Sequence, residues 1–252
     1  MSITNRYEKY QSPLSERYAS KEMCYIFSDQ YKFSAWRRLW IALAEAQQEL
    51  GLKTISNDQI DEMRRFQDAI NFDVAREYEK KLRHDVMSHI HAYGEQCPKA
   101  RPIIHLGATS AYVQDNTELM QMKEGLRIIL AKLVNIVSVL SNQAMKYKDL
   151  ATLSFTHFQP AQPTTLGKRI CLWTQDFIFD IEEIEMRIKG LQFHGVKGTT
   201  GTQASIMTLF HNDTEKVKKL DELVTKKMGF DGYYPVTGQT YSRKIDSQIV
   251  FS

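Results

Sequence analysis

The chain has 252 residues, 42% hydrophobic and 25% charged, with 12 Gly and 6 Pro, values that suit a folded globular protein and exclude a disordered one. Its 33 basic and 30 acidic residues are mixed along the chain and leave a net charge of +3, too balanced to imply nucleic acid or a membrane surface as partner. Cys24, Cys97 and Cys171 are odd in number, far apart and without CxxC spacing, which points to a reduced, cytoplasmic setting.

The start, MSITNRYEKYQ, is polar and lacks the apolar core of a signal peptide. Residues 29–50 carry Phe33, Trp36, Trp40, Leu43 and Leu50 on one side, which predicts a helix stopped by Gly51. Shorter, more charged helices are expected over 56–68 and 71–93, followed by a turn-rich stretch from Gly94 through Pro98 and Pro102 to Gly107.

From Leu119, apolar residues recur at Met122, Leu126, Ile129, Leu133, Ile136 and Leu140, in steps of three and four. This predicts a helix over about 116–147, with Asp115 and Glu118 as a capping pair at its start. Its most apolar part, 126–140, is interrupted by Arg127, Lys132 and Asn135 and reads as too short to span a bilayer. A second run follows the same spacing through Ile170, Trp173, Phe177, Ile181, Ile184, Ile188 and Leu191. Between the two lies THFQPAQP, residues 156–163, whose prolines rule out a helix interior.

A third helix is expected at 213–228, capped by Asn212 or Asp213 and stopped by Gly229, and IDSQIVFS looks like the opening of another. Strand signals are nearly absent. The pattern is all-α, with an N-terminal helical domain over 1–111 and the first part of a long-helix bundle over 112–252. Two long helices with wide apolar faces need further helices to cover them, so other subunits or more chain are expected.

Three histidines in LRHDVMSHIH, residues 82–91, invite a metal reading. On a helix, however, His84 and His89 lie about 140° apart, and His84 and His91 about two turns, so zinc is disfavoured. Arg83, His84 and Asp85 form either a cationic, hydrogen-bonding cluster suited to carboxylate or phosphate, or a solvated helix face. In IIHLGATSAYVQDN, residues 103–116, Thr109 and Ser110 before a helix suit an anion and serve equally as turn and cap residues. HGVKGTTGTQAS, 194–205, spaces its glycines by three and matches neither phosphate-loop fingerprint, so a close-packed connector is expected. His157, fixed by prolines beside Thr156, Gln159 and Gln162, is either structural or a general acid–base group.

Taken together, SPLSERYAS (12–20), LRHDVMSHIHAYG (82–94), IIHLGATSAYVQDN (103–116), THFQPAQPTTLGKR (156–169), KGTTGTQAS (197–205) and TGQTYSRK (237–244) closely resemble the adenylosuccinate lyase family of the fumarase/aspartase superfamily. RHDV, GATS and TGQTYSRK favour that branch over argininosuccinate lyase. The resemblance implies long helices assembled into a homotetrameric core, and elimination of fumarate from adenylosuccinate and from the succinyl-aminoimidazole-carboxamide ribotide. It implies no metal or organic cofactor, no nucleic acid and no membrane. By motif position, His157 matches the general acid. Arg17, Tyr18, Arg83, His84 and Asp85 match substrate-binding positions, Thr109 and Ser110 match hydroxyl contacts, and Gln239 matches a contact near the succinyl group. Different subunits contribute these residues to one site. The family's serine-bearing loop is expected after residue 244 and is absent, so residues 1–252 alone are expected not to turn over. The alternative is a catalytically inactive helical chain that co-assembles with full-length subunits.

Overall fold

The computed structural model describes residues 12–252. The described residues are mostly helical, 64% of them in helix, as the periodicities require. A π-helical turn at Leu14–Tyr18 leads into α1 (Lys21–Ile26), α2 (Asp29–Glu49), α3 (Asn57–Arg65), α4 (Phe72–Leu82), α5 (Asp85–Gln96) and α6 (Ser110–Lys146). A hairpin of β1 (Ala151–Thr156) and β2 (Gln159–Thr165) precedes α7 (Leu166–Gly190), α8 (Ala204–Leu209), α9 (Thr214–Lys227) and α10 (Lys244–Val250).

The described residues form two compact units. One holds residues up to Gln121 together with Gln192–Ser242; the other holds Met122–Leu191 and Arg243–Ser252.

In the first unit, α2 is the central core element, with Trp36, Leu39, Trp40 and Leu43 buried. Ser28 caps it by accepting from Tyr31 N. Arg37 is buried on the same helix and donates to Phe66 O, to Ala69 O at 3.1 Å and to Gln96 Oε1 at 2.7 Å. Its guanidinium also lies 4.1 Å over the Tyr93 ring, and burial lowers its pKa to about 10. One polar side chain thus ties the α3–α4 connection and α5 to α2.

The helix expected over 71–93 is two helices. Arg83 ends α4 in the left-handed region, φ +54°, with its N–H bonded to Glu79 O. His84 then caps α5, its Nδ1 accepting from Met87 N. No glycine marks this break, so periodicity ran through it.

Helix α6 begins earlier than expected, at Ser110, which moves Asp115 into its second turn. Asp115 and Glu118 are therefore not its caps: Asp115 is buried and accepts from Tyr241 N at 2.8 Å, and Glu118 accepts from the Tyr241 hydroxyl at 3.3 Å. The helix is about 55 Å long at 1.5 Å per residue. It contains an 18-residue stretch of mean hydropathy 1.5, long and apolar enough to cross a membrane by length and composition. The segment read as too short is thus part of a longer apolar helix.

In the second unit, the proline-containing connector is a β-hairpin. Thr156 pairs with Gln159, Phe155 with Pro160 and Leu153 with Pro163, with an irregularity between Leu153 and Phe155. Both strands of a two-stranded ribbon are edges, so an outward-facing proline forfeits no ladder hydrogen bond. His157 and Phe158 form the two-residue turn, at φ +51° and +59°. Thr165 caps α7 through Lys168 N at 3.1 Å, and Gly167 donates to Tyr147 O at 2.9 Å.

Candidate active site

Within the first unit, four separated sequence blocks converge on the N-terminal turns of α6. Asp85, at the start of α5, accepts from Gln114 Nε2 at 2.9 Å and from Val86 N at 2.7 Å. Its Oδ1 lies 3.5 Å from His84 Nδ1. Arg83 and His84 are exposed beside it, so the cluster read from RHDV presents its cationic and imidazole groups to solvent while Asp85 is anchored to α6. The other two histidines of that segment are packing residues: His89 stacks on Phe33 at 3.6 Å, and His91 on Tyr78 at 5.0 Å.

Thr109, buried at the end of the GATS turn, accepts from Gln239 Nε2 at 3.1 Å. Ser110, half-buried, opens α6. The turn is set by Gly107, at φ +77°, where a Cβ would come within 2.7 Å of Ile206 and Leu209 on α8. Gln47 reinforces it by donating to Leu106 O at 2.9 Å.

The TGQTY segment is held from several sides. Tyr241 N bonds Asp115, and Thr237 Oγ1 lies 3.1 Å from His194 Nε2. His194 N in turn donates to Asn116 Oδ1 at 2.8 Å, and Asn116 Nδ2 donates to Tyr112 O and Gly195 O. Asp115 and Asn116, adjacent on α6, thus grip TGQTY and the glycine-rich segment respectively.

The remaining candidates lie elsewhere. Arg17 and Tyr18 are exposed on the π-helical turn, and among the described residues no hydrogen bond joins either to Asp85, Thr109 or Gln239. His157 belongs to the second unit, exposed at the tip of the hairpin.

A family model described as "Lyase" matches residues 12–232. The chain belongs to this lyase family. It is 51% identical over 246 residues to adenylosuccinate lyase of Saccharomyces cerevisiae, covering 97% of this chain and 51% of the relative. It is 50% identical over 247 residues to that of Schistosoma mansoni, with the same coverages, and 30% identical over 230 residues to that of Bacillus subtilis. The chain thus spans about half the length of the curated relatives it matches. Among solved structures, a fumarate lyase from Mesorhizobium superposes with a TM-score of 0.77 at 21% identity, covering 92% of this chain and 53% of that one. A β-carboxy-cis,cis-muconate cycloisomerase from Acinetobacter calcoaceticus gives 0.78 at 21% identity, covering 95% and 55%. These likenesses show that the chain shares its fold with the two enzymes.

Sequence reasoning about this chain missed His105, although it lies in the block over 103–116. It adopts φ +66°, accepts from Trp40 Nε1 at 2.9 Å, and has its pKa lowered to about 4 by burial and then by the charge of His84. Gln114 was missed as well, because a single glutamine inside a helical run carries no local signal.

Proposed function

We propose that this chain supplies the acid and substrate-binding groups of an adenylosuccinate lyase. The observation that carries this reading is the 51% identity to the S. cerevisiae enzyme over 97% of the chain. The reaction is a β-elimination. A base removes a proton from the succinyl methylene carbon, the electron pair forms the fumarate double bond, and the C–N bond breaks toward the purine nitrogen. That nitrogen then takes a proton. In this reading His157 donates it. An imidazole suits that task, because it can both carry a proton and give it up.

Arg83, His84 and Arg17 would hold the phosphate and succinyl carboxylates, where charge develops in the transition state. Tyr18, Asp85, Thr109, Ser110 and Gln239 would supply oriented hydrogen bonds. The same site would act on the succinyl-aminoimidazole-carboxamide ribotide, which carries the same succinyl-amine bond. No residue of this set needs a metal or organic cofactor for its role.

We also propose a cytoplasmic homotetramer. Supporting it, α6 and α7 leave Val134, Val139, Trp173 and Phe179 at 52%, 50%, 49% and 55% exposure within this chain, faces that copies of long helices would cover. The same faces support the second reading, an inactive chain that co-assembles with longer subunits; it predicts binding to such subunits without a contribution from His157.

The test is a chimera joining residues 1–252 to the half of the S. cerevisiae relative that they do not span. Fumarate release from adenylosuccinate, lowered about 100-fold or more by His157→Gln, supports the reading. A chimera that assembles as a tetramer yet releases no fumarate, or whose rate ignores His157→Gln, sinks it.

A further inference from the structure

Asp221 lies on α9, and at 2% exposure it is among the most buried charged residues of the first unit. Its carboxylate receives three donors from one segment. Val196 N donates to Oδ1 at 2.6 Å, and Lys197 Nζ and Gln203 Nε2 donate to Oδ2 at 2.6 Å and 3.0 Å. Lys197 is itself 3% exposed and carries its charge 5.3 Å over the Tyr233 ring. Burial pulls the Asp221 carboxyl upward, against the opposing pull of Lys197 and the hydrogen bonds.

Such a pair is a weak source of stability, since desolvating both charges offsets most of their attraction. What the arrangement does is geometric. Val196, Lys197 and Gln203 stand at both ends of the glycine-rich loop, and Gln203 also bonds Val196 O at 3.0 Å, so one carboxylate closes the loop on itself. Gly198 N bonds Thr202 O across it at 2.6 Å. Gly195, at φ +86°, passes so close that a Cβ would sit 2.8 Å from Asp221 Oδ1.

The closed loop then bears on TGQTY. A Cβ at Gly201 would overlap Thr237 O and approach Gly238 to 2.9 Å. His194, one residue before the loop, meets Thr237 Oγ1 at 3.1 Å. Gln239 follows two residues later and reaches Thr109. We propose that the buried Asp221–Lys197 pair is a positioning device: it clamps the loop over 195–203, which fixes Thr237 and Gly238 and thereby sets the direction of Gln239. Asp221 and Lys197 touch no substrate in this scheme. The activity half of the test rests on the lyase reading above; the exchange half does not.

The first measurement is amide hydrogen exchange on the 252-residue chain. Lys197→Met with Asp221→Ala removes both charges and all three anchors, so neither charge is stranded. Exchange over 194–203 and 237–241 is expected to rise about tenfold or more, with α2 unchanged. Lys197→Met with Asp221→Asn keeps an acceptor for Val196 N and is expected to restore most of the protection over 237–241. Gly201→Ala, which leaves both charges of the buried pair in place, is expected to raise exchange over 237–241 by breaking the close approach of the loop to Thr237 and Gly238, and it serves if the first pair fails to fold.

The second measurement, in the chimera, is the KM penalty of Gln239→Ala. It is expected to shrink from about tenfold to under about threefold in the Lys197→Met/Asp221→Ala or the Gly201→Ala background, because a misdirected Gln239 has little left to lose. A purely structural pair would lower thermal stability and leave that penalty unchanged. Unchanged exchange over 237–241, or an equal Gln239→Ala penalty in every background, overturns the proposal. Altered exchange in a chimera that releases no fumarate overturns the lyase reading and leaves the clamp standing.

Discussion

Gln239 Nε2 donates to Thr109 Oγ1 at 3.1 Å, joining residues 130 positions apart in sequence. Thr109 ends the turn that launches α6, and Gln239 lies in an exposed segment tied down at Thr237 and Tyr241. The hydrogen bond therefore pins the TGQTY segment to the turn that launches α6, with both candidate side chains already oriented.

Thr109→Val removes the acceptor while keeping the shape of a buried side chain. It is expected to cost about 1 kcal/mol of stability, the ordinary net worth of one hydrogen bond, read as a lowered urea midpoint with unchanged slope. Thr109→Ser keeps the hydroxyl and should recover most of that loss. Equal loss in both variants would mean that the methyl, and not the bond to Gln239, matters.

Phe158 occupies a left-handed conformation at the hairpin tip with 104% exposure, so its ring gains nothing from packing while its backbone carries the strain. Phe158→Gly removes that strain and is expected to raise the stability of the second unit by about 1 kcal/mol. Thermal unfolding followed by circular dichroism checks the sign. A lower melting temperature would show that the ring, not the turn, holds the hairpin.

The helices were legible because burial imposes its period on sequence: Trp36, Trp40 and Leu43 recur on one face and are all buried. Asp213 was also readable as a cap, and it does accept from Lys216 N at 3.1 Å. Three things were not legible. The break at Arg83 uses a left-handed residue with no glycine to announce it. In the hairpin over 151–165, Ala151, Leu153 and Phe155 do alternate with Thr152, Ser154 and Thr156, but the run is six residues long, the pairing strand carries Pro160 and Pro163, and the His-Phe turn lacks the Asn-Gly signal of such turns. Asp115, Asn116 and Gln114 form long-range anchors, and a single polar residue within a helical period says nothing about a partner in a distant block. The motif blocks named the candidate site residues; only the fold shows that Thr109 and Gln239 meet.

Gly167 lies where the start of α7 crosses the end of α6. A Cβ there would come within 2.5 Å of Ala144 O and 2.6 Å of Lys148 Cα, both backbone atoms that cannot swing aside. Gly167→Ala is therefore expected to destabilise the second unit by about 1–3 kcal/mol despite the better helix propensity of alanine. Gly190→Ala, at the other end of the same helix with open space around it, is the control and should be neutral or slightly stabilising. Guanidinium titration of both variants decides it; equal effects would remove the packing argument.

His89 is buried against Phe33 and Trp36, and burial, followed by the charge of Arg37, lowers its pKa to about 4. His105 is lowered to about 4 by burial and His84. Both are neutral in the folded chain at neutral pH, whereas the unfolded chain titrates each near 6.5. Between those values the unfolded state binds more protons, so stability is fully present above about pH 6.5 and falls as pH drops toward 4. Each histidine contributes a slope of about 1.4 kcal/mol per pH unit over that window. Urea midpoints from pH 7.5 to 4.5 should show the decline, and His89→Phe, which keeps a ring against Phe33, should remove roughly half of the histidine contribution. A decline of the same steepness in that variant would place the sensitive group elsewhere.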